Sequence, residues 1–304
     1  MGKPTRIACI GECMIELGQV NFDTGQAHFG FAGDTLNTAT YLARLLPEGF
    51  VVSYITNLGT DAFSNRMLNS FAAEGIDSAW IGRHDSRLPG LYAIEIDAAG
   101  ERSFHYWRDS SAARTLFSGL GTSLDDLAQF DVIYLSGISL AILPDPIRSA
   151  LIARLRVLHT AGCMVVFDSN YRPRLWPDAA TARDDLGSMW CATSLALPSL
   201  DDEQQLYPGT TPVQVLDRIA GLGVGEIVLK SGAAGVMIRQ GRQTRQPDLP
   251  RAETVVDSTG AGDSFNAGYL AARLRGADAD AATEAGHRLA CRVIGQHGAI
   301  LPRG

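Results

Sequence analysis

The chain has 304 residues, of which 46% are hydrophobic and 19% are charged, and its formal net charge is −7. This composition is typical of a globular protein and excludes a disordered or membrane-embedded one. The acidic balance and the lack of a basic stripe argue against nucleic acid as a partner. No apolar run is long enough to span a membrane and no signal-type segment follows Met1–Arg6, so we expect a cytoplasmic protein.

Short apolar runs alternate with helical patterns along the chain, which predicts a mostly parallel sheet covered by helices on both faces. The predicted strands are Ile7–Ile10, Val51–Ile55, Val132–Leu135, Val165–Phe167, Leu195–Leu197 and Ile227–Leu229. The predicted helices include Thr35–Leu46, Ala62–Glu74, Ile147–Thr160 and Val213–Leu222. We therefore expect one α/β domain over residues 1–304, with a small appendage, rather than two equal domains.

Polar or small residues follow several of these predicted strands at once. They are Gly11-Glu12, Ser136-Gly137 and Asp168-Ser169-Asn170. In open α/β sheets, ligands bind beyond the carboxyl ends of the strands. The sequence therefore predicts a ligand site at this edge of the sheet.

Two segments interrupt the alternation, at about 12–32 and 88–112, and we expect them to form a small lid. The first has mixed polarity, whereas Leu91–Arg108 has the pattern of a β-hairpin with its turn at Asp97–Glu101. Alternation places Tyr92 on one face of the first strand, and Tyr106 and Arg108 on one face of the second. An arginine beside a tyrosine on a lid can bind a carboxylate or phosphate, although a solvated strand end explains the pattern equally well. The apolar strand Leu91–Ile96 could offer a free edge to a second copy, so we expect a homo-oligomer, with a dimer through the lid as one form.

Residues 257–265, DSTGAGDSF, carry the most chemical information. A β-branched run enters this glycine-rich turn and a helix of small residues, Asn266–Leu274, follows it. The free backbone N–H groups at a helix start can bind an anion, and glycines let a phosphate approach them. Asp263 would repel a phosphate, but it makes sense as the group that takes a proton from an attacking hydroxyl. An ordinary capped helix accounts for the same residues about equally well.

Other nucleotide and metal motifs are missing from the sequence. There is no G-x-x-x-x-G-K-[ST], and Gly221–Gly225 lies between a helix and a strand, which is the wrong order for a dinucleotide turn. The five cysteines form no C-x-x-C pair, and the six histidines are scattered. Neither residue type predicts a metal site.

The chain resembles the ribokinase and phosphofructokinase-B family of carbohydrate kinases from about Ile7 to Arg303. The similar blocks are Ile10–Leu17, Phe31–Asn37, Leu88–Tyr92, Gly100–Arg108, Leu135–Leu143, Phe167–Trp176 and Asp257–Phe265. The last block is specific for the family. The tyrosine–arginine lid and the NYRPRLW block favour the branch that acts on a sugar acid, 2-dehydro-3-deoxy-D-gluconate. The resemblance implies a ribokinase-like three-layer α/β/α core with a small β-stranded lid.

The resemblance also implies a role for each matching residue in phosphoryl transfer. Asp263 would be the general base, and the backbone of Gly260, Ala261 and Gly262 would form the anion hole. ATP carrying Mg²⁺ would lie near the strand and turn of the KSGAAG segment, at Lys230, Ser231, Gly232 and Gly235, with residues around Ala290–Ile294 along the adenine. Ser199 stands where many relatives have an asparagine, so the nucleotide and magnesium contacts of its loop are left open.

The remaining implied roles concern the sugar and a monovalent cation. Gly33, Asp34 and Asn37 at a helix start would meet the sugar hydroxyls, with Tyr92, Tyr106 and Asp257 beside them. A substrate carboxylate calls for a cation, for which Arg108 and Arg172 are the candidates, and we expect Arg174 to have a structural role. Asp257 and Thr259 match positions that line a monovalent-cation site in relatives, with K⁺ as the expected ion.

The function that this resemblance implies is ATP-dependent phosphorylation of the 6-hydroxyl of 2-dehydro-3-deoxy-D-gluconate, giving the 6-phosphate. Two alternatives stay open at this point. One is a kinase of the same family for another sugar, such as fructose or 2-dehydro-3-deoxygalactonate. The other is a non-catalytic sugar sensor on the same fold, against which the retention of Asp263 and the anion hole argues.

Overall fold

The structure is a computed structural model that describes residues 3–21, 24–96 and 102–303. The strands are β1 (Thr5–Ile10), β2 (Met14–Asn21), β3 (Gln26–Ala32), β4 (Phe50–Ile55), β5 (Asn57–Gly59), β6 (Gly82–His84), β7 (Gly90–Ile96), β8 (Arg102–Trp107), β9 (Val132–Ser136), β10 (Met164–Asp168), β11 (Leu195–Ala196), β12 (Glu226–Lys230), β13 (Val236–Gln240) and β14 (Gln243–Arg245). The α-helices are α1 (Asp34–Leu45), α2 (Ala62–Glu74), α3 (Gly137–Ala141), α4 (Asp145–Thr160), α5 (Ala179–Trp190), α6 (Leu200–Leu206), α7 (Pro212–Gly221), α8 (Ala261–Leu274) and α9 (Ala279–Ile294). Short 3₁₀ turns lie at Ala112–Thr115, Asp125–Gln129, Pro173–Leu175 and Gly232–Ala234.

The large sheet has the strand order β14-β13-β12-β11-β10-β9-β1-β4. From β12 to β4 neighbouring strands are parallel, and β13 and β14 continue the sheet antiparallel. Ile7 in β1 lies opposite both Val52 and Val132. The central stretches of the parallel strands, such as Ile7–Ile10 and Val165–Phe167, are apolar because helices cover both of their faces.

Side chains of alternate strand positions enter two separate hydrophobic cores. Ala8 and Ile10 pack with apolar residues of α4, α5, α6 and α7, whereas Ile7 and Cys9 pack with those of α1, α2, α8 and α9. The result is the three-layer α/β/α arrangement that the sequence predicted. The six predicted strands lie at the observed positions, shifted by no more than two residues at an end, and α2 has the predicted bounds.

A second, four-stranded sheet with the order β3-β2-β7-β8 stands apart from the large one; below it is called the small sheet. β2 is parallel to β7, and the pairs β2–β3 and β7–β8 are antiparallel. Strands β2 and β3 were not predicted individually, and the expected hairpin turn at Asp97–Glu101 lies outside the described residues. The expectation of a free edge at Leu91–Ile96 is wrong, because β7 pairs with β2 on one side and β8 on the other.

The connections between the two sheets place the functional residues. The chain leaves the large sheet at the end of β1 and enters the small sheet at Met14, with Gly11–Cys13 between them. It returns through Gly33 directly into α1, at the carboxyl edge of the large sheet. The described ranges contain no helix both long and apolar enough to cross a membrane.

Candidate active site

The glycine-rich turn before α8 opens onto the carboxyl edge of the large sheet. Gly260 is the N-cap residue and has a left-handed backbone, with φ of 74°. A Cβ on Gly260 would lie 2.8 Å from Cβ of Ala299, so both the backbone and the packing require glycine. No side chain caps the helix. Its first N–H groups therefore have no partner from a capping side chain, and they are suited to bind an anion.

Asp263 lies in the first turn of α8 and is partly buried. Its Oδ2 accepts a hydrogen bond of 2.8 Å from Nδ2 of Asn37. Burial raises the pKa of Asp263, and the negative charge of Asp34 raises it further, while the hydrogen bond from Asn37 opposes the rise. The side chain is thus held at the helix start with a stronger affinity for protons than an ordinary aspartate.

Asp34 begins α1 and faces the same space as Asp263. Its Oδ2 accepts hydrogen bonds from Oγ of Ser136 and, over 2.7 Å, from Nδ2 of Asn170. Asn170 has a positive φ of 28°, which is uncommon for a residue other than glycine. The backbone N–H of Asn170 donates to Oδ1 of Asp168 over 3.2 Å. Ser136 at the end of β9 and Asn170 after β10 therefore orient the acid of α1, at the edge of the sheet where the sequence predicted a ligand site.

A buried polar network lies behind the start of α8. Nζ of Lys230 donates to Oδ2 of Asp168 and to Oδ1 of Asn266, both over 2.9 Å. Nδ2 of Asn266 donates to the same Asp168 oxygen over 2.6 Å and to the hydroxyl of Tyr134 over 3.0 Å. A Cβ on Gly262 would meet only Nζ of Lys230, at 3.8 Å. Lys230 at the end of β12 therefore holds the start of α8 in place through Asn266. Its positive charge lies close to the predicted anion hole.

The small sheet brings Tyr106 and Arg108 to one side of the site, and the segment after β10 brings Arg172 and Arg174. Burial raises the pKa of Tyr106, whereas the charges of Arg108, Arg172 and Arg174 lower it in part. The guanidinium of Arg108 lies 5.8 Å from the centre of the Tyr106 ring. The negative charge of Asp34 raises the pKa of Tyr106, so the three arginines and the acid of α1 all lie close enough to affect this hydroxyl.

Each predicted carboxylate-binding or lid side chain also has a partner within the protein. Nε and Nη2 of Arg108 donate to Oε2 of Glu12. The hydroxyl of Tyr92 donates to Oε2 of Glu16. Nη1 of Arg172 donates to Oδ1 of Asp202 over 3.0 Å, and 52% of its side chain is exposed. Arg172 therefore keeps donors that face solvent, while Arg108 is buried.

The predicted cation and nucleotide residues have structural contacts of their own. Asp257 accepts from the amides of Thr259, over 2.8 Å, and Gly298, over 2.9 Å, which ties the turn before α8 to the segment after α9. Ser199 caps α6 by accepting from the amide of Asp202. The hydroxyl of Ser231 is buried without a hydrogen-bond partner, and its backbone closes the turn that contains Gly232 and Gly235. Among the described residues, no group of three or more His, Cys, Asp or Glu side chains could hold a metal ion.

The structure brings the predicted residues of α1, α8 and the small sheet together around one edge of the large sheet. The sequence interpretation did not assign site roles to Glu12, Glu16, Ser136, Asp168, Asn170 and Asn266. A signal was present for most of them, because the positions after β1, β9 and β10 were recognised as a ligand-binding edge. Their individual partners could not be read from the sequence, since Arg108 and Glu12 are 96 residues apart.

An acid with raised proton affinity beside a helix N-terminus, facing polar groups that suit sugar hydroxyls, has the chemistry of a carbohydrate kinase. The chain belongs to the pfkB family of carbohydrate kinases, whose pattern matches residues 4–303. It is 48% identical to 2-dehydro-3-deoxygluconokinase of Dickeya dadantii over 97% of this chain and 96% of that protein.

Two further comparisons agree with the family assignment. The chain is 44% identical to 2-dehydro-3-deoxygluconokinase of Escherichia coli K12 over 98% of this chain and 97% of that protein. A crystal structure from E. coli, described as a ribokinase II in complex with ATP and Mg²⁺, has the same fold with a TM-score of 0.82 at 22% identity, covering 97% of this chain and 94% of that chain. The expected ribokinase-like fold and carbohydrate kinase class are therefore confirmed.

Proposed function

We propose that this protein uses ATP to phosphorylate the 6-hydroxyl of 2-dehydro-3-deoxy-D-gluconate, giving 2-dehydro-3-deoxy-6-phospho-D-gluconate. The observation that carries the proposal is the placement of Asp263, whose carboxylate is held by Asn37 at the N-terminus of α8. Relatives at 44–48% identity over nearly the whole chain bear the name of this activity, which supports the choice of substrate.

Asp263 acts as the general base in this proposal. A primary alcohol gains nucleophilicity as its proton passes to the carboxylate, and a carboxylate whose pKa is raised accepts that proton more readily. Asn37 donates to Oδ2, so Oδ1 is the oxygen available to the substrate hydroxyl. Phosphoryl transfer depends mainly on positioning and charge stabilisation, so a weak base is sufficient.

The turn Gly260–Gly262 supplies the charge stabilisation. Its backbone N–H groups lie at the start of α8, where negative charge on the transferred phosphoryl group would develop, and the N–H of Ala261 also donates to the carbonyl oxygen of Ser258 over 3.2 Å. Gly262 carries no Cβ, and the space in front of it is closed only by Lys230 at 3.8 Å. The open space fits the close approach of a phosphoryl group to the backbone.

The nucleotide side rests on β12 and the turn after it. The backbone of Ser231, Gly232 and Gly235 would contact the nucleotide, with Ser199 nearby through its bridge to Lys230. ATP provides the γ-phosphoryl group, and Mg²⁺ neutralises charge on its phosphates. Mg²⁺ commonly takes one or two carboxylates together with phosphate oxygens and water. Asp202, which pairs with Arg172, is an acid on this loop that would supply such a carboxylate.

The sugar lies between α1 and the small sheet. Asp34 and Asn37 would bind hydroxyl groups of the sugar, and Gly33 would let the sugar approach the backbone closely. Tyr106 would cover the sugar, with Tyr92 packed behind Tyr106. Asp257 would lie at the far side of the turn. Arg108 and Arg172 would bind the carboxylate that distinguishes this substrate from a neutral sugar. A charge-assisted hydrogen bond contributes about 1.5–3 kcal/mol, which corresponds to roughly tenfold to hundredfold discrimination.

The activity is tested by measuring ADP release on the sugar acid and on its neutral analogue, in which a hydroxymethyl group replaces the carboxylate. We expect wild type to prefer the acid and Arg108→Ala to lose that preference. Arg66→Ala, which changes an exposed arginine of α2, is the control and should behave as wild type. A wild-type preference for the neutral sugar would refute the substrate, and an unchanged preference in Arg108→Ala would refute the role of Arg108.

Three further properties belong to this proposal. The loop between Asp257 and Thr259 would hold K⁺, which is tested by replacing K⁺ with a bulky organic cation.

The protein would work in the cytoplasm, where ATP is available. It would form a homodimer through the small sheet, whose edge strands among the described residues are β3 and β8; light scattering measures the mass in solution.

A further inference from the structure

Glu12 is a buried acid at the junction of the two sheets. It follows β1, and only 1% of its side chain is exposed, while Arg108 follows β8 and is 7% exposed. Oε2 of Glu12 accepts from both Nε, over 2.8 Å, and Nη2 of Arg108. The pair joins the entry to the small sheet with the exit from it.

The pairing uses only one of the two edges that a guanidinium can present. Glu12 takes the side edge formed by Nε and Nη2, so the terminal edge of Nη1 and Nη2 keeps its remaining protons. A guanidinium is planar and its donors are fixed in direction, so holding one edge also fixes where the other points. The terminal edge is the one that can bind a carboxylate with two parallel hydrogen bonds.

Two glycines hold Glu12 itself in place. A Cβ on Gly33, which precedes α1, would lie 2.2 Å from the carbonyl oxygen of Glu12. A Cβ on Gly90, which begins β7, would lie 2.7 Å from Oε1 of Glu12. Backbone at the start of α1 and backbone of the small sheet therefore pack against Glu12 from two directions, and its side chain has little freedom to move.

The second carboxylate oxygen shows that stability alone does not account for the pair. Oε1 of Glu12 is buried without a hydrogen-bond partner. Burying a charged pair is costly unless its hydrogen bonds are complete, and apolar residues in its place are often as stable. An incompletely satisfied acid at this position is better explained by its effect on Arg108.

We propose that Glu12 is a positioning residue that aims the terminal edge of Arg108 at the substrate carboxylate and thereby sets the preference for a sugar acid. This inference rests on the proposed role of Arg108 as a carboxylate ligand. Glu12 acts through Arg108 and does not itself touch the substrate. Gly90 contributes to the same positioning, because any side chain at this position would displace Oε1 of Glu12.

The test measures KM and kcat of Glu12→Gln with the sugar acid, its neutral analogue and ATP. Glutamine keeps the size of the side chain but cannot accept two hydrogen bonds with the strength of a carboxylate. We expect KM for the acid to rise by about tenfold, as for the loss of one charge-assisted hydrogen bond. KM for the neutral analogue, KM for ATP and kcat should stay unchanged. A merely structural role would weaken both sugars equally, which would overturn the proposal.

Two more variants separate this proposal from the function on which it rests. Gly90→Ala should also raise KM for the acid selectively, even if Glu12→Gln does not fold, because its Cβ would meet Oε1 of Glu12 at 2.7 Å and Cβ of Arg108 at 3.2 Å. In the double variant Glu12→Gln/Arg108→Ala, the ratio of KM values for acid and neutral sugar should equal that of Arg108→Ala alone. If Arg108→Ala abolishes the preference while Glu12→Gln and Gly90→Ala retain it, the positioning role is wrong and the carboxylate assignment stands. If Arg108→Ala retains the preference, the carboxylate assignment itself is wrong.

Discussion

Asn37 donates a hydrogen bond of 2.8 Å to Asp263, and this contact joins two helices whose residues are 226 positions apart. It links the helix that would bind the sugar to the helix that would receive the phosphoryl charge. Because Asn37 donates to the ionised form of Asp263, it stabilises the form that can accept a proton. The same acid is pushed toward the protonated form by burial and by Asp34. The balance between these effects determines the pH at which the base is available.

Asp263→Asn should lower kcat by a factor of roughly 10²–10⁴, the usual contribution of a positioned acid–base group. Asparagine has nearly the same shape, so binding of ATP and of the sugar acid should persist, as isothermal titration calorimetry can measure. Asp280→Asn changes an exposed acid in the first turn of α9 and serves as the control, with normal turnover expected. Normal turnover in Asp263→Asn would exclude it as the base.

The pH profile of kcat/KM should respond to both neighbours of Asp263. The base works deprotonated, so activity is lost as pH falls through its pKa. Asn37→Ala removes a hydrogen bond that lowers this pKa, and the acid limb should move to higher pH by about one unit. Asp34→Asn removes a negative charge that raises it, and the limb should move to lower pH. Both variants also lower the rate through sugar binding, so the midpoint is the quantity to compare, and shifts in the same direction would contradict the assignment.

Asp263→Asn should also make the folded protein more stable above neutral pH. The pKa of Asp263 is raised in the folded state, so the folded protein keeps this proton at pH values where the unfolded chain, with a pKa of about 3.9, has released it. The free energy of unfolding therefore falls as pH rises through this window. We expect the Tm of the variant to exceed that of wild type at about pH 8 and to approach it at about pH 3, below the pKa of the acid in both states. A lower Tm at the higher pH would contradict the raised pKa.

Gly260→Ala and Gly262→Ala should separate folding from catalysis in the same turn. A Cβ on Gly260 would meet Ala299 at 2.8 Å on a left-handed backbone, so this variant should lose about 1–3 kcal/mol of stability. A Cβ on Gly262 would meet only Lys230, at 3.8 Å. That variant should fold as well as wild type, yet lose turnover because its methyl group fills the space for the phosphoryl group. Full activity in a well-folded Gly262→Ala would remove the anion hole from this position.

Lys230→Met should strongly destabilise the protein. It leaves Asp168 buried without its cation, which typically costs about 3–5 kcal/mol. The double variant Lys230→Met/Asp168→Asn removes both charges and should recover much of the loss in chemical denaturation. Equal stability of the single and double variants would show that the ion pair does not hold the start of α8.

The large sheet was predictable from sequence because both of its faces are buried. Strands such as Val165–Phe167 are therefore continuous apolar runs, and α2 has clear signals at both ends, with Asp61 as N-cap and Gly75 in a left-handed C-cap. The small sheet was harder to predict because its residues have mixed burial. In β2 the register shifts between Gly18 and Asn21, and Gln19 has a positive φ of 50°, so no strict alternation survives there.

The candidate site was predictable as a set of residues and not as a set of contacts. The glycine-rich turn and Asp263 have a local pattern, and so has the start of α1. The partners of Arg108, Asp34 and Lys230 come from distant segments, and nothing in the local sequence indicates them. Sequence reasoning could therefore propose Arg108 as a carboxylate ligand but could not show that Glu12 already takes one edge of its guanidinium.

Phosphorus NMR of the product that wild type and Asp263→Asn form from ATP and 2-dehydro-3-deoxy-D-gluconate tests directly whether Asp263 drives phosphoryl transfer to the sugar acid. The wild-type protein should give a phosphomonoester on the 6-oxygen in equal amount to the ADP released, and the variant should give almost none while still binding both substrates. Sugar phosphate formed at the wild-type rate by the variant, or ADP formed by wild type without any sugar phosphate, would contradict the account.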